Sequence, residues 1–286
     1  MVRKKREPIL VDKKSSPEGA AILNAAPPNE PFSWPSAANT IVIFIHGFLG
    51  SPDVFREPAR CLHELGYASA ALLLPGHGGD ARAFTNTSER DWISHVHAEI
   101  DRLRNGYSRV ILLGHSLGGL LALDYTSEHP ENPVNGIILM GTPLRLRFHV
   151  NIIRTSLRLY LTPPKEDDSI TAAYRLGFGL EKPLLNPFAV VRPGLALWRM
   201  ISQTRKKLSR VKASTLIIQS RSDETAAPSS ASLFTQLLGG KSRVVWLYSS
   251  LHAWIHPDER AQVEAEIDGF IIDPDQAVAD IAPLAP

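Results

Sequence analysis

Ser116, in the run Gly114-His115-Ser116-Leu117-Gly118, is the residue of this chain best placed to act as a nucleophile. Four apolar residues, Val110 to Leu113, precede the run, and a helix-forming stretch follows it at once. G-x-S-x-G between a strand and a helix is the nucleophile elbow. The chain must turn sharply there and hold the serine in a strained backbone conformation. Glycines at 114 and 118 remove side chains that would collide at the turn. Ser116 Oγ then stands at the carboxyl end of a strand. The N–H of Leu117 lies near a helix N-terminus, where orphan donors and the helix dipole favour a developing oxyanion. On the motif alone, the alternative is a glycine-rich turn carrying an exposed serine.

A serine hydroxyl needs a base, and the base needs an orienting group. With this elbow the partners follow along the chain as acid and then histidine. Ser249-Ser250-Leu251-His252 directly follows the last strand-like run, Arg243 to Tyr248, and makes His252 the base. His256 reads as a surface or capping residue, and His129 and His149 fall outside the required order. Arg221-Ser222-Asp223-Glu224 follows the run Ser214 to Gln219, so Asp223 is the first choice for the acid and Glu224 its close rival. Asp124, on the elbow helix, reads as solvated, and Asp91 as a capping residue. The second oxyanion donor belongs to the loop after the first main strand, at the backbone N–H of Phe48. In the same loop His46 reads as a shaping ring, and His115 as packing beside the nucleophile.

These residues must be held by strands and helices in alternation. Thr40 to Ile45 (TIVIFI) is a continuous apolar run, as expected of a strand buried on both faces. Tyr67 to Leu74, Val134 to Met140, Ser214 to Gln219 and Arg243 to Tyr248 read the same way. Ser51-Pro52 opens a helix to about Leu65. Ser88 with Asp91 resembles a capping box opening a helix to about Arg104. Further helices are expected over Leu117 to Glu128, Pro228 to Leu238 and Pro257 to Ile271. This alternation predicts an α/β fold with a mostly parallel sheet, flanking helices and right-handed crossovers. The chemistry of such sheets sits at the carboxyl ends of strands. Residues 1–39 read as an N-terminal extension, with Ile9-Leu10-Val11 and Ala20 to Leu23 as candidate edge strands and Pro27-Pro28 to Pro35 as an extended connector. Residues 273–286 read as a frayed C-terminal tail.

The combination of His46-Gly47-Phe48-Leu49-Gly50-Ser51-Pro52, Leu74-Pro75-Gly76-His77-Gly78, Gly114-His115-Ser116-Leu117-Gly118-Gly119, Asp223 and Ser250-Leu251-His252 resembles the serine α/β-hydrolases. Within that superfamily it is similar to the bacterial carboxylesterases and monoacylglycerol lipases. The ending from His252 to Ile271, with Asp258-Glu259-Arg260 and Phe270-Ile271, is similar too. The resemblance spans about residues 40–143 and 210–272. It implies an α/β-hydrolase fold with its core over 40–143 and 209–272. It implies cleavage of carboxylic esters, a medium-chain acyl ester or a monoacylglycerol, through an acyl-enzyme. Ser116 would be nucleophile, His252 base, Asp223 orienter, and the N–H groups of Phe48 and Leu117 oxyanion donors. No cofactor or metal is called for. After the acid the family often carries a β-branched pair leading to proline; this chain has Thr225-Ala226-Ala227-Pro228. Lysophospholipase, thioesterase or C–C bond hydrolase chemistry can run on the same triad. A hydrolase-like ligand-binding protein is the non-catalytic alternative, and the intact set of Ser116, Asp223 and His252 favours the enzyme.

Residues 144–208 interrupt the strand pattern where such hydrolases carry a helical cap. Leu146, Val150, Ile153, Leu157 and Leu161 recur at helical spacing, with Arg147, Arg154 and Arg158 as a stripe on another face. Leu195 to Lys207 reads as a second cap helix. Residues 144–210 hold 13 Lys and Arg against 4 Asp and Glu, about +9 in a chain of total charge +2. These arginines either solvate outer helix faces or meet an anionic lipid surface. A total of +2 gives no argument for nucleic acid. Cys61 is the only cysteine, so no intrachain disulfide or thiolate cluster forms. The basic start lacks the apolar run of a secretory signal, no stretch approaches a bilayer span, and a cytoplasmic protein is expected. Gly239-Gly240-Lys241-Ser242 resembles the end of a phosphate loop, but Thr235 stands where its first glycine is needed. His95 and His97 face differently on one helix and make a poor metal pair. An epoxide hydrolase or haloalkane dehalogenase would need aspartate at 116.

Overall fold

The apolar runs become a seven-stranded sheet in a computed structural model that describes residues 28–79, 81–131, 133–147, 169–180 and 190–279. The strands are β1 (Phe32–Trp34), β2 (Thr40–Ile45), β3 (Ala68–Leu72), β4 (Arg109–His115), β5 (Gly136–Met140), β6 (Thr215–Ser220) and β7 (Ser242–Leu247). Their order is β1-β3-β2-β4-β5-β6-β7, with β1 antiparallel to β3 and all other pairs parallel. The parallel strands need crossovers, which helices between successive strands supply. Among the described residues the helices are α1 (Arg56–Glu64), α2 (Ala81–Asn86), α3 (Glu89–Arg104), α4 (Leu117–Glu128), α5 (Ser169–Leu176), α6 (Val191–Lys207), α7 (Ser229–Leu237), α8 (Pro257–Ile272) and α9 (Pro274–Ala279); α8 and α9 follow the last strand.

Alternating side chains of each central strand enter two separate cores. Ile41, Ile43, Ile45, Leu112 and Leu139 pack with α3, α4 and α6 through Trp92, Val96, Leu120, Leu121 and Met200. Val42, Phe44, Ile111, Leu113 and Ile138 pack on the other face with Ala59 and Leu62 of α1 and Phe270 and Ile271 of α8. Burial on both faces is why these strands read as unbroken apolar runs. The helix α4 is buried from Leu117 to Ser127, so it shows no amphipathic stripe.

Four expectations are corrected. The edge strand β1 lies inside the segment read as a connector, because Phe32 packs into the second core while Ser33 faces out. The candidate strands Ile9-Leu10-Val11 and Ala20 to Leu23 lie outside the described residues. The segment after 273 is not frayed through Ala279: α9 packs on α8, β6 and β7, with Pro274 buried. Arg145 to Arg147 do not open a helix; Leu146 forms an isolated antiparallel bridge, and residues 148–168, with Arg154 and Arg158, lie outside the described residues. The helix expected from Leu195 begins earlier, at Val191. The Ser88–Asp91 capping box is present on both sides, and Ser51 accepts from the N–H of Asp53 at the turn that precedes α1. Among the described residues, no helix is long and apolar enough to cross a membrane.

Candidate active site

Ser116 sits between β4 and α4 with φ 52° and ψ −116°, a left-handed conformation that non-glycine residues avoid. Its N–H donates to Met140 O at 2.9 Å, tying the turn to β5. The turn is possible because α4 starts almost against β2. A Cβ on Gly118 would stand 1.9 Å from Ile45 O, and one on Gly114 would stand 2.4 Å from Gly119 N. Only glycine leaves room at either place. The N–H of Leu117 opens α4, where helical geometry gives it no partner within the helix.

Phe48 follows β2 in a turn closed by Gly50 N–H donating to Gly47 O at 2.9 Å, with Leu49 in the left-handed region at φ 57°. Two buried histidines shape this loop. His46 donates from Nδ1 to Gly47 O at 2.9 Å and accepts at Nε2 from Leu74 N–H at 3.0 Å. His77 donates from Nδ1 to Pro75 O at 3.2 Å and accepts at Nε2 from Leu49 N–H at 3.2 Å. Both rings are neutral by this pattern, since each uses one nitrogen as acceptor. Burial pushes the His77 pKa down to about 4. Burial, with His77 nearby, holds His46 well below its ordinary value. Phe48 packs edge-on against Phe84. A second segment also reaches this loop: Gly179 N–H donates to Leu49 O at 2.8 Å, and Gly78 N–H donates to Gly179 O at 2.5 Å.

Asp223 and His252 lie in the loops after β6 and β7, and the structure brings them together. His252 Nδ1 is 3.0 Å and 2.9 Å from the two carboxylate oxygens of Asp223. Asp223 Oδ1 also accepts from the N–H groups of Thr225 at 2.8 Å and Ala226 at 2.7 Å. Burial raises the pKa of this carboxyl, but the charge and hydrogen bond of His252 and the two amides outweigh it, so Asp223 is held ionised. Burial likewise opposes charge on His252, and the Asp223 carboxylate, helped by Glu224, overcomes it and raises the histidine pKa. The His115 ring lies 4.9 Å from the His252 ring and donates from Nε2 to the His252 carbonyl at 2.9 Å. Burial pushes the His115 pKa down to about 4.

Several supports for these loops were not visible in the sequence. Glu224 bonds to the backbone beside the ring and not to the ring itself: its Oε2 accepts from the N–H of His252 at 3.0 Å. Arg147, expected on an outward stripe, donates from Nη1 to Asp223 O at 2.9 Å and to Arg221 O at 3.4 Å. Leu146 pairs with Ala226 in an antiparallel bridge beside it. Glu259, in the first turn of α8, accepts from the N–H groups of Tyr248, Ser249 and Ser250 and from the Ser250 hydroxyl. His256 caps α8, accepting from Asp258 N–H at 3.2 Å. Asp124 is not solvated. It is 1% exposed, bonded to Lys207 at 2.7 Å and His97 at 3.2 Å, which ties the end of α6 to the elbow helix. A short polar side chain on a helix carries no local signal of such distant partners.

A strained serine on a strand–helix turn, with a buried carboxylate–histidine pair at the ends of β6 and β7, defines an α/β-hydrolase. The family model "Serine aminopeptidase, S33" matches residues 36–256. The chain belongs to that family and is a hydrolytic enzyme of the lipase and esterase kind. It is 26% identical over 235 residues to a thermostable monoacylglycerol lipase of Bacillus sp. strain H-257, covering 80% of this chain and 89% of that protein. Its fold is similar to that of a metagenome-derived lipolytic enzyme, with a TM-score of 0.69 and 23% identity over 86% of this chain and 98% of the other. It is also similar to a monoglyceride lipase of Saccharomyces cerevisiae, with a TM-score of 0.66 and 16% identity over 87% and 91% of the two chains.

Proposed function

We propose that the protein hydrolyses carboxylic esters, a medium-chain acyl ester or a monoacylglycerol, through an acyl-enzyme on Ser116. The observation that carries this reading is the Asp223–His252 pair, whose ionised carboxylate holds the imidazole by Nδ1 and leaves Nε2 as the base. In the first step Ser116 Oγ bonds to the acyl carbon as its proton passes to His252 Nε2. The oxyanion is taken by the N–H groups of Phe48 and Leu117. The imidazolium then protonates the leaving alcohol as the C–O bond breaks. Water, deprotonated by the same nitrogen, attacks the acyl-serine, and the acid leaves as Ser116 regains its proton.

The lipid side of the reading rests on the likeness to the Bacillus monoacylglycerol lipase and on the reading of segment 144–208 as a cap. On α6, Val191, Leu195 and Trp198 recur at helical spacing and are half or more exposed, with Arg192, Arg199, Arg205 and Lys206 on the same helix. An apolar stripe among cations suits an anionic lipid surface. Arg147 is not part of it, since it serves the acid loop.

Hydrolysis of p-nitrophenyl esters from two to sixteen carbons, beside a monoacylglycerol and a lysophospholipid, tests the reading, with Ser116→Ala as control. The expected result is a chain-length optimum that vanishes in the variant. Failure of a fluorophosphonate to label Ser116 would refute it and favour a ligand-binding protein. Trp198→Ser should weaken turnover of anionic lipid dispersions while sparing a small soluble ester; equal effects on both would remove the lipid-surface role.

A further inference from the structure

The loop that carries His252 is held from outside by two side chains that the reaction does not consume. His252 N–H donates to Glu224 Oε2 at 3.0 Å. Tyr174 Oη donates to the other oxygen of the same carboxylate, Glu224 Oε1. The backbone N–H of His252 is therefore fixed by Glu224, and Glu224 in turn by a tyrosine of α5. That helix belongs to the insertion between β5 and β6, and the chain running out of it bonds through Gly179 to the Phe48 loop. One short segment thus touches both the loop of the base and the loop of an oxyanion donor.

The chemistry gives these contacts a consequence. A base is effective only if Nε2 is aimed at the serine within a few tenths of an ångström, and its backbone anchor sets that aim. The Glu224 charge beside the ring also favours the imidazolium that forms when the serine gives up its proton. Burial, and then the bond to Glu224, keeps the Tyr174 phenol protonated far above neutrality, so it stays a donor throughout the working range.

We infer that Glu224 is a positioning residue for His252, and that Tyr174 makes the seating of α5 a condition of that positioning. With α5 seated, the base is aligned; with α5 lifted, Glu224 loses its second anchor and the His252 loop loosens. This rests on the reading that Ser116 is the nucleophile and His252 its base.

The test is a double-mutant cycle of Tyr174→Phe and Glu224→Gln on p-nitrophenyl butyrate, a substrate too short to need the insertion for binding. Each single variant should lower kcat about 10-fold with KM within about twofold. The double variant should be no worse than the weaker single, a coupling of about 1.4 kcal/mol. In a Ser116→Ala background, NMR titration of the His252 ring should give a lower pKa with Glu224→Gln than without it. Additive effects in the cycle would overturn the inference. So would an unmoved ring titration, or a change confined to KM for long-chain esters, which would make Tyr174 a pocket wall. If Ser116→Ala kept its esterase activity, the underlying reading would fail instead, and the ring titration would still report whether Glu224 acts on His252.

Discussion

Acidification should unfold this protein through its neutral buried histidines, and His77 isolates the effect. Its ring is 6% exposed, and Nε2 accepts from Leu49 N–H at 3.2 Å. A proton on that nitrogen would turn the acceptor into a donor facing a donor. The pKa is pushed from 6.5 to about 4 by burial. A depressed pKa contributes stability that is present above the unfolded value and lost as pH falls through the folded one. Between about pH 7.5 and pH 5 the unfolded chain protonates at this residue and the native state does not. The linkage relation then gives a loss of about 2 kcal/mol from His77 alone. His115, also at about 4, adds a similar amount. His252 acts in the opposite direction, because its raised pKa contributes stability that is present at low pH and lost as pH rises through the folded value. Urea unfolding at both pH values, in the natural protein and in His77→Gln, separates these. The Gln carbonyl can accept from Leu49 but cannot take a proton. The variant should therefore be less stable at pH 7.5 through lost ring packing, yet lose about 2 kcal/mol less on going to pH 5. An identical acid loss in both proteins would refute the neutral-acceptor assignment of His77.

The site makes further predictions. The acid limb of kcat/KM should lie above the ordinary histidine value of 6.5, because the base works only when neutral and its pKa is raised; a limb below 6.5 would contradict the Asp223–His252 pairing. Asp223→Asn should lower kcat on the order of 10⁴-fold, and an Asn variant near full activity would mean that another carboxylate orients the base. Gly118→Ala should cost about 3 kcal/mol or leave the protein insoluble, because its methyl would meet the Ile45 carbonyl at 1.9 Å; thermal melting checks this. Arg147→Met should reduce kcat several-fold and stability by about 1 kcal/mol, through the lost bonds to the Asp223 and Arg221 carbonyls. An effect of Arg147→Met confined to anionic lipid substrates would return that arginine to the outward stripe.

The sequence revealed what is local. The elbow, the Ser88–Asp91 box, the Ser51 cap and the runs of β2, β4 and β5 each depend on residues within a few positions of one another, so spacing alone exposes them. Edge strand β1 escaped because three residues beside prolines make no pattern, and only pairing with β3 makes them a strand. Asp124 was misread for the same reason. Its partner Lys207 lies 83 residues away, and nothing near Asp124 announces a buried ion pair. Tyr174 and Arg147 act on loops that follow them by about 50 and 76 residues. Long-range hydrogen bonds to backbone carbonyls and amides carry no residue-type signature at the receiving end.

That asymmetry also accounts for the departure after the acid. By residue type alone, Thr225-Ala226 in place of a β-branched pair weakens the turn that must hold Asp223. Yet what holds the carboxylate there is the backbone N–H of residues 225 and 226, which any residue but proline supplies. Ala226 is fully buried, and its chain pairs with Leu146, so a small residue lets the two segments approach. The Arg147 guanidinium then closes the turn from the carbonyl side. The neighbouring carboxylates differ in task for a matching reason. The turn directs Asp223 inward to the ring and its two amides, and leaves Glu224 beside the backbone of His252. A tight turn thus separates two adjacent acids into one bonded to the His252 ring and one bonded to the His252 backbone.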